Sequence, residues 1–235
     1  MKIQHIVWLL PVVLFTACSL NNYDNYDEPE STLEGAFLHN GDSVRVSYNN
    51  VTFELWQGGF GAESPINVTV DQNGSYSAVL FDGEYRLVIP PGQGPFIGSG
   101  IGEGGSDTLQ VQLKGDQKLD IQITPYFMIR NPEFSTSGRT VSANFAVEQI
   151  VTGANAQNVE FVQLYVSKTN YVDTRTSIGT TTMNSGDIND MSDINLSVDV
   201  PAMTPTQDYV FARVGVKTTA VEDMIFSQIQ KMQIN

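Results

Sequence analysis

Hydrophobic positions along the chain alternate with polar ones in short runs, a pattern typical of β-strands. Glycine, asparagine, aspartate and other turn formers separate the runs. In the first half, the alternation predicts strands over residues 33–38, 51–56, 66–70, 76–81, 85–89, 109–113 and 119–123. Asn73-Gly74, between two of these runs, is a strong hairpin signal because both residues tolerate a positive φ. No window of a dozen residues in this half has helical spacing.

A second series of alternating runs follows Thr124. It predicts strands over residues 141–147, 159–166, 194–200, 209–216 and 224–234. Five or more strands in about a hundred residues, joined by polar loops, are typical of an immunoglobulin- or fibronectin-type β-sandwich. We therefore expect an all-β protein with one domain over residues 31–124 and a second over residues 125–235.

One segment of the first half carries a motif. Asp71, Gly74 and Tyr76 form an Asp-x-x-Gly-x-Tyr hairpin, and Gly83 and Tyr85 form the Gly-x-Tyr start of the next strand. This arrangement resembles the signature of the transthyretin-like, or carboxypeptidase-regulatory-like, β-sandwich. The resemblance implies a prealbumin-like sandwich in a structural or binding role, and it carries no catalytic residues to this chain.

The first eighteen residues run from basic to apolar to small side chains. Lys2 gives a basic start, residues 6–15 are apolar apart from one proline, and Thr16-Ala17 are small, as in a secretory signal. The apolar run is too short to span a bilayer. Cys18, the only cysteine, follows directly, and this order resembles the lipobox, in which the cysteine is acylated and becomes the new N-terminus. We expect residues 1–17 to be the signal peptide and Cys18 the lipid anchor; the alternative is a free cysteine buried in a helix.

Residues 18–30 are polar, acidic and poor in aliphatic side chains, so they cannot bury enough apolar surface to fold. We interpret them as a flexible tether between the lipid and the first domain. An acidic tether of this kind resembles those of lipoproteins that glycan-scavenging Gram-negative gut bacteria export to the outer leaflet of the outer membrane. The resemblance implies an outer-membrane protein that faces the cell exterior, and a periplasm-facing lipoprotein stays open as the alternative.

The order of tether, Gly-x-Tyr domain and second β-sandwich gives a wider resemblance. It is similar to the layout of the two-domain surface lipoprotein family of domain of unknown function 3823, found beside starch-utilisation-type glycan importers. The resemblance implies an accessory role in glycan capture, with polysaccharide and importer proteins as partners in addition to the membrane lipid that holds Cys18.

The net charge and the cysteine content of the chain exclude further classes of partner and site. The chain carries a formal charge of −14 at pH 7, and loss of Lys2 with the signal peptide makes the mature charge one unit more negative. A surface this acidic disfavours nucleic acid and anionic lipid headgroups. With Cys18 used as the anchor, the mature chain has no thiol for a disulfide or a redox site.

No set of residues in the sequence predicts catalysis, a metal site or a cofactor. His39 is the only histidine after the signal peptide and falls in a predicted turn, so we expect neither a catalytic triad nor a transition-metal site. Asp187, Asp190 and Asp193 could supply oxygen to calcium, but their spacing does not fit an EF-hand and favours a solvated loop. Residues 100–105 fit G-x-G-x-x-G but lead into a strand, which excludes a dinucleotide site.

Trp56 is the sharpest candidate for ligand binding, because Trp8 leaves with the signal peptide and Trp56 is then the only tryptophan. Alternation along residues 51–56 places Trp56 on the polar face of its strand, where its ring could stack on the apolar side of a sugar. Phe60, just after the strand, and Phe96, in a long flexible loop rich in glycine and proline, are weaker companions. The alternative is that Trp56 packs against the second domain or under its own loop.

Together these features predict a non-catalytic cell-surface lipoprotein, anchored through Cys18, that is accessory to glycan capture and uptake. Two alternatives come from other classes of protein. The sandwiches could be a structural or docking module for partner proteins of an outer-membrane importer or an adhesive fibre. Carboxylates are also plentiful, so a minor glycoside hydrolase with two acids across a cleft stays open.

Overall fold

The computed structural model describes residues 27–59, 63–219 and 221–235. The first part of the chain contains strands β1 (Ser31–His39), β2 (Asp42–Ser43), β3 (Thr52–Gln57), β4 (Pro65–Thr69), β5 (Ser75–Leu80), β6 (Gly83–Val88), β7 (Phe96–Ile97), β8 (Thr108–Leu113), β9 (Gln117–Lys118), β10 (Ile121–Gln122) and β11 (Thr124–Pro125). The second contains β12 (Phe127–Ser137), β13 (Thr140–Gln149), β14 (Val159–Ser167), β15 (Ser177–Asn184), β16 (Ile194–Asp199), β17 (Tyr209–Thr218), β18 (Ile225–Phe226) and β19 (Gln230–Gln233). The helices of the described residues are short 3₁₀ turns at Glu103–Gly105, Gly153–Asn155 and Ser185–Asp187, so the expected all-β fold is confirmed.

The first domain is a sandwich of two sheets. One sheet is antiparallel, in the order β4-β3-β6-β8. The other is built on β1, which pairs with β2 and β5 in antiparallel fashion and with β9 and β10 in parallel. Aromatic rings from both sheets meet in the core: the ring centroids of Phe53 and Tyr76 lie 4.9 Å apart, and those of Phe37 and Phe53 lie 5.8 Å apart.

The hairpin motif of this domain has a structural explanation. Gly74 has a φ of +85°, and a Cβ on it would lie 2.5 Å from the carbonyl oxygen of Val44, so this turn requires glycine. The hydroxyl of buried Tyr76 donates to the carbonyl of Leu119 at 2.5 Å. The hydroxyl of buried Tyr85 donates at 2.7 Å to the carbonyl four residues before it. Each motif tyrosine therefore fills the core with its ring and satisfies a backbone carbonyl with its hydroxyl.

The second domain is also a sandwich. One sheet has the order β12-β13-β16, and the other has the order β15-β14-β17, with β18 and β19 both paired to β17. This arrangement is of the immunoglobulin or fibronectin type. Its core is formed by alternate residues of the central strands, including Val141, Phe145, Val162, Leu164 and Val214.

Two strands of the second domain have no counterpart in the predicted runs. Both β12 and β15 lie at sheet edges, where only part of a strand is covered. The pairing of β12 is interrupted between Arg130 and Glu133, around Pro132, and no residue of β15 is fully buried. Hydrophobic alternation cannot mark strands whose two faces are both partly solvated.

A buried arginine joins the two domains. Arg213 on β17 is fully buried; its Nη1 donates to the carbonyl of Val46 at 3.1 Å and its Nε donates to the carbonyl of Val172. The guanidinium carbon lies 3.7 Å from the ring centroid of Phe226. Burial lowers the pKa of Arg213 to about 9, and the charge of Asp173 opposes this shift, so the guanidinium is charged at neutral pH.

Asp173 supports the same interface between the domains. We call this interface the domain seam; in it, Val46 and Tyr48 of the first domain accept hydrogen bonds from Arg213 and Arg175 of the second. It is 2% exposed and accepts hydrogen bonds from the Arg175 guanidinium at 2.6 Å and the Arg175 amide at 2.9 Å. Burial alone would raise the pKa of Asp173, but the hydrogen bonds and charge of Arg175 outweigh burial and hold that pKa below its ordinary value. The Arg175 guanidinium also donates to the carbonyl of Tyr48 in the first domain.

Two other hydrogen-bonded groups also cross between the domains, one from each side. Asp223, which is buried, accepts hydrogen bonds from the Asn50 side chain and from the amide of Gly94, the latter at 2.7 Å. Gln72 is also buried and donates to the carbonyl of Asn170 at 2.7 Å. Because these bonds need groups from both domains, they fix the orientation of one sandwich on the other.

We predict that Arg213→Ala lowers the free energy of unfolding by roughly 3–5 kcal/mol, because it leaves the buried carbonyls of Val46 and Val172 without their donor. Urea denaturation followed by circular dichroism would measure the loss. Lys118→Ala is the control: it removes an ion pair with Asp120 in which the lysine side chain is 68% exposed, and it should cost less than about 1 kcal/mol. Equal losses for the two variants would contradict the role of Arg213.

We predict a pH-dependent effect for Asp173→Asn. Since the folded state lowers the pKa of Asp173, the carboxylate contributes its full stabilisation above the ordinary value of 3.8 and loses it as the pH falls through the lowered value. The variant should be less stable than the wild type by about 1–3 kcal/mol at neutral pH, and the gap should shrink below pH 3.8. Urea denaturation over this range tests the prediction, with exposed Glu103→Gln as the control; a gap that does not change with pH would refute it.

Candidate functional site

Trp56 lies near the end of β3 on the outer face of its sheet. Leu55 beside it is fully buried, so alternation turns Trp56 outward, and its indole is half-buried. In register with it are Pro65 of β4 and Arg86 of β6, and Gln110 of β8 continues the row. The sheet therefore presents one large aromatic ring in a row that is otherwise mostly polar.

A groove of about 530 Å³ runs beside the tryptophan. Its lining comes entirely from the first domain: Trp56, Gln57, Gly58, Glu63, Asp82, Gly83, Glu84, Tyr85, Arg86 and Gln110. The indole Nε1 donates to Glu54 at 2.9 Å, which fixes the orientation of the ring. Arg86 and Glu63 form an ion pair at 2.8 Å with both side chains about half exposed. An exposed pair of this kind is weak, so its charged groups can exchange it for hydrogen bonds to a ligand.

Asp82 supplies a fixed carboxylate at the end of this groove. It accepts a hydrogen bond from the Ser31 hydroxyl at 2.5 Å and another from the Gly115 amide at 2.9 Å. Both bonds lower the pKa of Asp82, and the bond from Ser31 has the larger effect. Asp82 is therefore ionised at neutral pH and acts as a hydrogen-bond acceptor rather than as an acid.

The structure corrects the expectation for Phe96. This residue is 3% exposed, and its ring packs edge-on against Phe37 with centroids 5.6 Å apart. It belongs to β7, which pairs with β11, and nearby Gln93 accepts the amide of Thr52 at 2.9 Å, so the segment is anchored rather than a flexible loop. Phe96 serves the core and cannot offer its ring to a sugar. Phe60 lies outside the described residues, and its role stays a prediction.

A second concavity, of about 390 Å³, opens where residues 90–99 approach the second domain. Its walls include Pro90, Phe96 and Tyr126, with Asp107 and Val221 among the other lining residues. Apolar hollows of this size are common in proteins. Fewer polar side chains line it than line the groove at Trp56, so the groove is better suited to the hydroxyls of a sugar.

His39 has no free ring nitrogen to act as a base. The structure places it half-buried at the end of β1, beside the Asn40-Gly41 turn. Its Nδ1 lies 3.1 Å from the carbonyl oxygen of Ile123, and its Nε2 lies 3.2 Å from the side-chain amide of Asn40. Both nitrogens are occupied by structural hydrogen bonds.

Two of the three aspartates in residues 187–193 accept hydrogen bonds from neighbouring groups. Asp190 accepts the amide and hydroxyl of Ser192 at 2.8 and 2.7 Å, and these bonds lower its pKa. Asp193 accepts the side-chain amide of Asn144 at 2.6 Å. Within the described part of the chain, no group of three or more histidine, cysteine, aspartate or glutamate side chains is placed to hold a metal ion.

Cys18, the predicted membrane anchor, and most of the predicted tether fall outside the described residues. In the ranges that the structure covers, no helix has the length and apolar character needed to cross a bilayer. Lipidation of Cys18 and the outer-membrane location stay predictions from the sequence.

An exposed aromatic pair, which the sequence analysis does not predict, lies where the two domains meet. Tyr48 is 40% exposed and Tyr171 is 45% exposed. Their ring centroids lie 4.5 Å apart, and the ring planes are inclined by 54°. Each tyrosine adjoins an asparagine, Asn49 or Asn170, in a loop, which is a local hint of a polar aromatic surface. Nothing in the sequence indicates that the two loops meet.

Comparisons with known proteins match both domains. The model of the N-terminal domain of the protein of unknown function DUF3823 matches residues 31–124, and that of the domain of unknown function DUF3823_C matches residues 127–231. No protein with a curated description matches the chain.

Solved structures give the same assignment. A DUF3823 family protein from Parabacteroides merdae is 31% identical, with a TM-score of 0.75, and one from Bacteroides ovatus is 28% identical, also with a TM-score of 0.75. A suggested carbohydrate binding protein from Bacteroides uniformis has the same fold at 15% identity, with a TM-score of 0.67. Each alignment covers 88% of this chain and 100% of the other. The chain is a member of the DUF3823 family, with two all-β domains in succession.

Proposed function

We propose that this protein is a non-catalytic surface lipoprotein that binds a glycan in the groove beside Trp56. The observation that carries the proposal is the half-buried indole on an outer sheet face, oriented by Glu54 and flanked by polar side chains. An aromatic face can stack on the apolar side of a sugar ring, while the surrounding carboxylates, amides and guanidinium bond to the hydroxyls.

The charge of the chain indicates which glycans fit. A formal charge of −14 repels polyanionic chains. Asp82, Glu84 and Glu63 all line the groove, and their carboxylates accept hydrogen bonds from neutral hydroxyls. An uncharged polysaccharide is therefore the substrate class that suits the site.

The proposal includes the cellular setting expected from the sequence. Acylation of Cys18 attaches the protein to the outer membrane, and the acidic tether holds the two sandwiches away from the lipid on the outer face. The protein then retains a glycan beside an importer of the starch-utilisation type. The suggested carbohydrate-binding role of the Bacteroides uniformis protein with the same fold supports the glycan-binding part of the proposal.

The acids do not favour the hydrolase alternative. A glycosidase needs one carboxyl group whose pKa is raised, so that it can protonate the leaving oxygen. The pKa values of Asp82, Asp173 and Asp190 are all shifted in the opposite direction by hydrogen bonds. These three carboxylates stay ionised and suit binding or structural roles.

One observation favours docking as a second candidate function. Among the described strands, β5 pairs with β1 alone and lies at a sheet edge, and Val79 on it is 59% exposed. A free edge with an exposed apolar side chain is a surface on which a partner protein could add a strand. This surface is separate from the groove at Trp56, so docking and glycan binding are compatible.

We predict that Trp56→Ala weakens glycan binding about tenfold, since the stacking face is lost while the fold is kept. Affinity electrophoresis of the purified protein in gels that contain neutral polysaccharides measures the change, and quenching of Trp56 fluorescence would report the contact directly.

Val79→Ala is the matched control, because it removes an exposed apolar side chain from the other sheet and should leave retardation unchanged. Wild-type protein that passes through every polysaccharide gel without retardation would overturn the proposed function. Retardation that survives Trp56→Ala unchanged would exclude the groove as the site.

A further inference from the structure

Hydrogen bonds of the domain seam anchor the two segments that carry the exposed tyrosine pair, Tyr48 and Tyr171. Arg213 donates to the carbonyl of Val46, two residues before Tyr48, and to that of Val172, directly after Tyr171. One fully buried guanidinium therefore fixes both of the segments that carry these rings.

Two further hydrogen bonds fix the same segments through their backbones. Arg175 donates to the carbonyl of Tyr48 itself. Gln72 donates at 2.7 Å to the carbonyl of Asn170, the residue before Tyr171. The segments are thus anchored without use of the phenol hydroxyls. Segments held in this way are preorganised, so a ligand that stacks on the rings need not order the backbone that carries them.

The surroundings of the pair suit a sugar. Among the described residues, neither phenol hydroxyl has a hydrogen-bond partner in the protein. Asn49, Asn170 and Arg175, which neighbour the pair, are exposed. Apolar ring faces bordered by polar side chains match a pyranose, which has an apolar face and a rim of hydroxyls.

We propose that Tyr48 and Tyr171 form a second glycan-contact site that stacks sugar rings of an uncharged chain across the domain seam. This inference rests on the proposed glycan-binding function and adds a site to it. Because the two ring planes are inclined by 54°, a flat ribbon of sugars cannot lie against both faces. The pair suits a polysaccharide whose chain bends between successive rings.

The test is affinity electrophoresis of the purified protein and its variants. The gels contain amylopectin or glycogen as bent neutral chains, and hydroxyethylcellulose or xyloglucan as extended ones, with a polymer-free gel as the reference. The variants are Tyr48→Ala with Tyr171→Ala, Trp56→Ala, and Tyr48→Phe with Tyr171→Phe. None of these changes alters charge, so mobility in the polymer-free gel should match that of the wild type and would reveal misfolding.

We expect the double alanine variant to bind a bent chain about tenfold more weakly than the wild type. The double phenylalanine variant keeps both stacking faces and should retain most of the affinity. An equal loss in the alanine and phenylalanine variants would overturn stacking as the mode of binding. A loss confined to the extended chains would overturn the inferred chain shape.

The set of variants separates this inference from the proposed function. Loss of binding in Trp56→Ala with none in the double alanine variant would overturn the tyrosine site and leave the groove standing. Loss in the double alanine variant with none in Trp56→Ala would support the tyrosine site and exclude the groove. Wild-type protein that no gel retards would overturn both.

Discussion

The architecture depends on one buried charge, the guanidinium of Arg213. A charge without water is costly unless hydrogen bonds, an opposite charge or an aromatic face replaces the water. Here two backbone carbonyls, the nearby charge of Asp173 and the ring of Phe226 replace part of the water, and one of the carbonyls belongs to the other domain. The Nη2 of Arg213 has no hydrogen-bond partner among the described residues. Docking of the two sandwiches adds the carbonyl of Val46 to the partners of Arg213 and so lowers the cost of burying its charge. An interface with this requirement favours one orientation over the many that apolar contact alone would tolerate.

Most of the fold could be predicted from the sequence because most of its strands have one buried face. Alternation finds strands such as β3 and β17, whose inward residues lie in a core, and the Gly-x-Tyr motif identifies the first sandwich because turn and core impose specific residues there. Alternation does not identify β12 and β15, because these strands lie at sheet edges, where neither face is consistently buried. Edge strands are specified by their neighbours in the sheet, which local sequence does not reveal.

The candidate sites show the same division. The outward position of Trp56 follows from period two along β3, a property of a single strand. The burial of Phe96 does not follow from the pattern of a single strand. It depends on the pairing of β7 with β11, which brings a glycine- and proline-rich segment into the core. The contact between Tyr48 and Tyr171 cannot be predicted from local sequence either, since the two residues belong to different domains and meet only where the domains dock.

The seam also gives a physical reason for having two sandwiches rather than one. Separate domains could each display an aromatic residue, but the angle between the two rings would then vary with the linker. Hydrogen bonds from Arg213, Arg175 and Gln72 hold the backbone segments that carry the two rings, and Tyr48 and Tyr171 stay 40% and 45% exposed. A surface of this kind can select for the shape of a ligand as well as its chemistry, because a rigid pair of inclined faces excludes partners that cannot bend to match them. Under the proposed glycan binding, domain docking and selection of the ligand's shape both depend on the same buried polar network.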